Sequence, residues 1–445
     1  MNVKIGEKEL YITDAGKDLG AYDANDGTYV FCREEICGAD YENYLNELTK
    51  QGYSVSAEYS LGESLYTLLE GEALTLYVSF LGEPSELRVY AEPKGFSETP
   101  FTDHGSEGDG EVTLWQLEVD STGSRQNGGH TYVLQLADGR FIIVDGGYYT
   151  DVEADRIYNH LKANTPEGEK PRIAAWFMSH MHGDHYGGMI RFAEKYAEVC
   201  ELEGYYHNGH KNEPRGLWVG MVEKFYVLRD MWEKKPAVYN KVHTGMSFKF
   251  PGAEIKVMCT HEDVYPKSFI DGNDTSTVIR IDVAGQRTLL LGDCRDHECD
   301  AMIKTFKRSG ELKCDIVQWS HHGYEGATKE FYEIVDAPTI LFPLNIVGWQ
   351  ENYGTVPQNV FKIWFNILNR PAKDYIPENL ANGKIKKVIV AGAGLAAVKF
   401  PYVPEGEVVL DYETFYEEHK HKVPEGYELK GYRYCGDNKI EKILN

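Results

Sequence analysis

The 445-residue sequence has no Cys-x-x-Cys pair and no disulfide-like spacing among its eight cysteines, Cys32, Cys37, Cys200, Cys259, Cys294, Cys299, Cys314 and Cys435. That excludes a disulfide-stapled secreted scaffold and fits a reduced compartment. No apolar run reaches membrane-spanning length, and no basic-plus-apolar leader follows Met1. A cytoplasmic protein without a membrane partner is expected. Positive charge is scarce, with 46 Lys and Arg against 70 Asp and Glu and a net charge of −24. With no Lys/Arg cluster, such a surface repels nucleic-acid phosphates and admits a small substrate more easily. Internal repeats and low-complexity tracts are missing too. Oligomeric state has no signature here.

The chain does have material for a core: 42% of residues are hydrophobic and 13% aromatic. Its length exceeds one typical domain. Residues 1–105 carry no hydrolytic motif. Helical apolar spacing over Ala39 to Lys50 and strand-like runs near Tyr53–Tyr59, Ala73–Phe80 and Glu86–Tyr90 predict a small α+β accessory domain. A Gly-, Ser-, Pro- and acid-rich linker follows, up to Asp109-Gly110. From Glu111 the pattern becomes hairpins and apolar strands, and we assign 111–400 to a main domain and 401–445 to a C-terminal extension.

The most informative stretch is Ser179-His180-Met181-His182-Gly183-Asp184-His185. It follows the buried-strand run Arg172–Met178 and precedes a helical pattern from Met189 to Tyr196. Imidazole nitrogens and carboxylate oxygens suit Zn²⁺ and similar ions. His180 and His182, two apart in extended chain, project to one side and can share an ion. Asp184 and His185, past the turn at Gly183, can point to a second ion nearby.

His-x-His-x-Asp-His after a hydrophobic strand resembles the signature of the metallo-β-lactamase superfamily. Further stretches extend the resemblance over roughly 111–345: Asp145-Gly146-Gly147 after an apolar strand, Asn273-Asp274-Thr275-Ser276 before one, Leu291-Gly292-Asp293, and His321-His322-Gly323. Together they look most like the branch containing the hydrolase domain of competence proteins and the phosphorylcholine esterases. The resemblance implies an αββα four-layer sandwich and a metal-dependent hydrolase. It implies two divalent metal ions, most simply Zn, with Mn or Fe as alternatives.

The ligand set so implied is His180 and His182 on one ion, Asp184, His185 and His322 on the other, and Asp293 bridging. Asp293 can also be read as a helix N-cap. Asp145 would orient a metal-binding histidine, and Asp184 and His321 would be catalytic, His321 contacting substrate; the reverse roles for His321 and His322 are the alternative. A third histidine for the first ion has no clear motif: His207, His210, His243 and His261 are candidates, with His261 and His207 preferred because both follow strand-like runs. The alternative is two histidines plus the bridging carboxylate. Cys294, next to Asp293, is either a metal-site neighbour or a small buried residue.

A dinuclear-metal-bound hydroxide attacking a phosphoester or phosphodiester is the first reading. A carbonyl substrate such as a lactone, thioester or β-lactam is the second. Flavin-linked di-iron oxidoreductases share the implied fold but carry Glu where this chain has His182, and no flavin-binding signature is present. A non-catalytic metal-binding sensor is the remaining alternative.

Overall fold

The computed structural model describes residues 2–5, 8–23, 28–95, 100, 102–119, 129–209, 230–265, 267, 272–324, 326–345, 372, 375–404, 428–429, 432–434 and 440–442. His210 and Cys435 and most of the C-terminal extension lie outside them, as do the aromatic and polar residues 349–355, the residues 359–368 whose apolar spacing predicts a helix, and most of 217–233, which the same spacing predicts as another.

The first ninety residues are richer in strand than the sequence pattern predicts. A hairpin of Asn2–Ile5 (β1) and Lys8–Tyr11 (β2) precedes a six-stranded antiparallel sheet. Its strands are Lys17–Asp23 (β3), Tyr29–Glu34 (β4), Ser54–Leu61 (β5), Ser64–Glu70 (β6), Leu74–Leu81 (β7) and Glu86–Pro93 (β8), in the order β3-β4-β8-β7-β6-β5. The helix Gly38–Lys50 (α1) buries Tyr41, Tyr44, Leu45 and Leu48 on this unit. That spacing is the i, i+3, i+4, i+7 stripe of a one-sided helix.

Two larger sheets follow. The first holds Thr113–Gln116 (β9), Tyr132–Gln135 (β10), Phe141–Val144 (β11), Arg172–Phe177 (β12), Glu201–Leu202 (β13), Gly204–His207 (β14) and Ala237–Lys241 (β15). The second holds Ser247–Phe250 (β16), Ala253–Cys259 (β17), Val278–Val283 (β18), Gln286–Leu290 (β19), Ile316–Gln318 (β20), Thr339–Phe342 (β21) and Lys387–Val390 (β22), paired in chain order. Ala396–Lys399 (β23) then returns to the first sheet and pairs antiparallel with β9. Short strands at Glu428–Leu429, Tyr432–Tyr434 and Ile440–Lys442 form a separate small sheet.

Strand alternation sorts the layers. In β11, Phe141 and Ile143 face the helices Asp151–Ala163 (α2) and Gly183–Tyr196 (α3), meeting Ala154, Ile157, Leu161, Met189 and Phe192. Ile142 and Val144 face the other way, into a core shared with Ile255, Val257, Ile279, Ile281 and Leu289 of the second sheet. Asp296–Phe306 (α4) and Lys329–Val335 (α5) pack on the second sheet through Cys299, Met302, Phe306, Phe331 and Val335. This is the αββα sandwich that the resemblance implies. Among the described residues no helix is long and apolar enough to cross a membrane.

The six-stranded sheet shares this core through Val30, Cys32, Tyr66, Tyr77 and Tyr90. It is also tied by buried polar contacts. Tyr77 Oη donates to the Thr244 carbonyl at 2.8 Å. Arg88 donates to the carbonyls of Glu262, Asp263 and Tyr265. Lys241, 1% exposed in its side chain, pairs with Glu92 at 2.9 Å and Glu262 at 3.0 Å. Buried ions are tolerated only when paired in this way.

Candidate metal centre

The functional side chains converge because they sit at strand ends on one edge of the sandwich. β11 and β12 run parallel, so Asp145 and Ser179-His180 emerge side by side. β19 and β20 are parallel in the other sheet and deliver Asp293 and His321-His322. One difference from the sequence pattern matters here. The helix expected from Met189 begins at Gly183, so Asp184 and His185 lie in its first turn. Gly187 and Gly188 lie inside this helix, and only glycine fits there: a Cβ at Gly188 would lie 1.8 Å from the Gly146 carbonyl oxygen, and one at Gly187 2.4 Å from the Tyr149 nitrogen. The helix start is thus pressed against the loop after Asp145.

That loop is shaped by Asp145 itself, at a φ of 56°. Its Oδ1 accepts from the Ser179 amide at 2.8 Å, and its Oδ2 accepts from Ser179 Oγ at 2.6 Å. Oδ2 also meets His185 Nδ1 at 2.8 Å and His130 Nε2 at 2.7 Å. Burial alone would raise this carboxyl, but His185 and His130 hold it well below the usual carboxylate range. His185 donating through Nδ1 leaves its Nε2 lone pair facing the cluster, the usual arrangement behind a metal-binding histidine.

Two donor sets meet at Asp293. His180, His182 and Asp293 place one ligand atom each within 4.8 Å of one another, and so do His130, His185, Asp293 and His322. Asp293 Oδ2 lies 3.7 Å from His180 Nε2 and 3.2 Å from His185 Nε2, and its Oδ1 lies 3.5 Å from His322 Nε2. Asp184 borders the second set without belonging to that grouping, with Oδ2 3.4 Å from His322 Nε2 and Oδ1 3.9 Å from His185 Nε2. His322 Nδ1 lies 3.0 Å from the Pro343 carbonyl. His321 diverges from it as adjacent residues must: it is 21% exposed in its side chain, with Nε2 3.8 Å from Asp293 Oδ2.

The donors fit a divalent cation. His180 Nε2 and Asp293 Oδ1 are buried yet have no hydrogen-bond partner in the protein, a costly state unless a cation satisfies them. Burial would lift the Asp293 carboxyl, but His185, His322 and His321 keep it ionised well below the usual range. Burial opposes charge on His322, and Asp293 and Asp184 nonetheless raise it to about 9.

The loop carrying Asp293 is braced from β20. Gln318 Oε1 accepts from the amides of Leu291 and Gly292, both at 2.8 Å, and its Nε2 donates to the Gly292 carbonyl at 2.8 Å. Ser276 Oγ accepts from the Asp293 amide at 3.1 Å. Cys294 is fully buried, its thiol pushed up by burial, and its carbonyl accepts from Ser320 Oγ at 2.6 Å.

Neither preferred third histidine joins the His180 set. His207 is buried at the end of β14, where its Nδ1 accepts from the Gly209 amide at 3.2 Å. His261 opens the short turn His261–Asp263, whose Glu262 and Asp263 hold the N-terminal sheet. His243 pairs with Glu262 at 2.6 Å and stacks on Tyr77. The residue that sequence motifs do not mark is His130. Its signal is the hairpin register: Tyr132 pairs with Val144, so the chain two residues earlier must lie beside the Asp145 loop.

No family model matches the chain, and no curated protein matches it by sequence. Some solved structures are similar at low identity. Unliganded yeast PDE1 is 11% identical, with 63% of this chain and 97% of that chain covered and a TM-score of 0.37. Zn²⁺-bound PqqB from Methylobacterium extorquens is 13% identical, covering 47% and 72%, at 0.32. A metallo-β-lactamase family protein from Thermus thermophilus is 16% identical, covering 44% and 68%, at 0.26.

Proposed function

We propose that the chain is a metal-dependent hydrolase of the metallo-β-lactamase type, acting on a small phosphoester or phosphodiester. The observation that carries this reading is the pair of histidine–carboxylate donor sets sharing Asp293, with His180 Nε2 and Asp293 Oδ1 buried and unpartnered. His180, His182 and Asp293 would hold one divalent ion, and Asp184, His185, His322 and Asp293 the other. Zinc suits this mixed N/O set, and Mn or Fe are the alternatives. Two such ions lower the pKa of bound water and stabilise charge on both the attacking and the leaving oxygen.

The protein's own part is positional. Asp293 spans both sets because its Oδ2 faces both His180 and His185, while its Oδ1 faces His322. Asp145 fixes the ring of His185, and Gln318 fixes the loop of Asp293. Asp184 and His321, the catalytic pair of this reading, are both partly exposed, and His321 would contact the substrate. The net charge of −24 favours a small ester over nucleic acid. Residues 1–105 would form an accessory unit. A carbonyl substrate, a lactone, thioester or β-lactam, is the second class.

Metal-free protein and protein reconstituted with Zn or Mn should be assayed with bis-p-nitrophenyl phosphate, a thioester and a chromogenic cephalosporin. Metal-dependent turnover of the first is expected. Turnover of the thioester or cephalosporin alone would move the reading to carbonyl chemistry. No turnover of any, with metal bound, would defeat the hydrolase reading.

A further inference from the structure

Resting on the dinuclear reading, we infer that His130 is an additional ligand, through Nδ1, of the ion assigned to Asp184, His185 and His322. Its ring is 3% exposed, and Nδ1 is buried with no hydrogen-bond partner. Nε2 lies 2.7 Å from Asp145 Oδ2, the oxygen that also meets His185 Nδ1 at 2.8 Å. A ligating histidine typically donates its other ring N–H to a carboxylate. Asp145 serves both rings in this way, but by opposite nitrogens. With Nε2–H given to Asp145, the Nδ1 of His130 is a bare lone pair, as Nε2 is in His185.

The position agrees. One nitrogen of His130 shares the 4.8 Å grouping with His185, Asp293 and His322. The His130 ring centroid lies 4.6 Å from that of His185 and 5.5 Å from that of His322. A buried acceptor with no donor is unfavourable, and a cation among these groups would satisfy it. The two ions are then unequally held: three donors on the His180 side, five on the His185 side. The His185 side should fill first.

The test has two arms. Metal-free wild type and His130→Ala are titrated with zinc against a chromogenic chelator, and zinc-loaded wild-type crystals are examined by anomalous diffraction. Two zinc ions are expected in the wild type, one of them about 2.1 Å from His130 Nδ1. His130→Ala should weaken the tighter ion at least about tenfold and leave the other within about twofold. If wild type binds two ions but neither lies within about 3 Å of Nδ1, the inference is overturned and the dinuclear reading stands. The same holds if His130→Ala binds both ions as tightly as wild type. If wild type binds no zinc, both fall. The crystallographic distance is read on wild type, so it decides the matter even if His130→Ala does not fold.

Discussion

The two histidine–carboxylate donor sets are built differently. The His180 set has three donors from two places, a strand-end loop and Asp293. Among the described residues its histidines have no carboxylate behind them comparable to Asp145. The His185 set draws on four places, and its rings are braced by Asp145 and by the Pro343 carbonyl. Histidines with a carboxylate partner are better fixed and more basic. One short stretch, Ser179–His185, feeds both sets, but the His185 set also gathers His130 and His322 from distant parts of the chain and is the better braced of the two.

The most damaging way to break the contrast is to remove what both halves share. Asp293→Ala should lose both ions and lower kcat/KM by about a thousandfold or more, several kcal/mol of transition-state stabilisation. Metal content by mass spectrometry and steady-state kinetics check it together. Retention of both ions would mean that Asp293 does not bridge.

Gly272→Ala addresses the His180 half alone. A Cβ there would lie 2.6 Å from His182 Nε2, so the ring must move. About one ion per chain should remain, with activity down about a hundredfold, the usual cost of a misplacement near 1 Å. Unchanged stoichiometry would show that His182 is dispensable to the first ion.

Asp145→Asn strikes the other half through its support. Zinc affinity of the tighter ion should fall about 10- to 100-fold, while the His180-side ion is affected less. Equal weakening of both would erase the distinction between the halves.

The smallest effect is expected away from both. His160, near the end of α2, packs edge-on against Trp115 and is pushed down to about 4 by burial. The folded chain keeps it neutral where the unfolded chain, near 6.5, takes up a proton. Its stabilising contribution is complete above about pH 6.5 and is lost as pH falls toward about 4. Allowing for partial solvent access, the loss is about 2 kcal/mol. In thermal melts, wild type should lose stability relative to His160→Phe as pH falls from about 7 toward about 4. Parallel curves would remove His160 from the account.

Much of this was readable from residues alone. Apolar runs such as Phe141–Val144 and Leu289–Leu291 end in Asp-Gly or Gly-Asp, so strand ends carrying polar groups stand out. The αββα order was implied by the resemblance that these motifs carry, not by the runs themselves. His130 was not readable because no apolar run leads into it from Gln126-Asn127-Gly128-Gly129; only pairing register places it. Strand β3, Lys17–Asp23, has no alternation to detect, since its partner β4 supplies the buried side. The early start of α3 was hidden because paired glycines normally argue against helix. Here the close approach of the Gly146–Tyr149 backbone outweighs that preference.

One pairing has a bearing on how the chain is made. β9 is completed by β23, whose partner residues lie about 280 positions away, Gln116 against Ala396. During synthesis β9 would emerge long before its neighbour exists. Its open edge must stay unpaired while almost three hundred further residues are added, a situation that slows folding and invites intermolecular pairing. Fragments ending before residue 396 should accordingly be prone to aggregate, even though every residue of the donor sets is already in them.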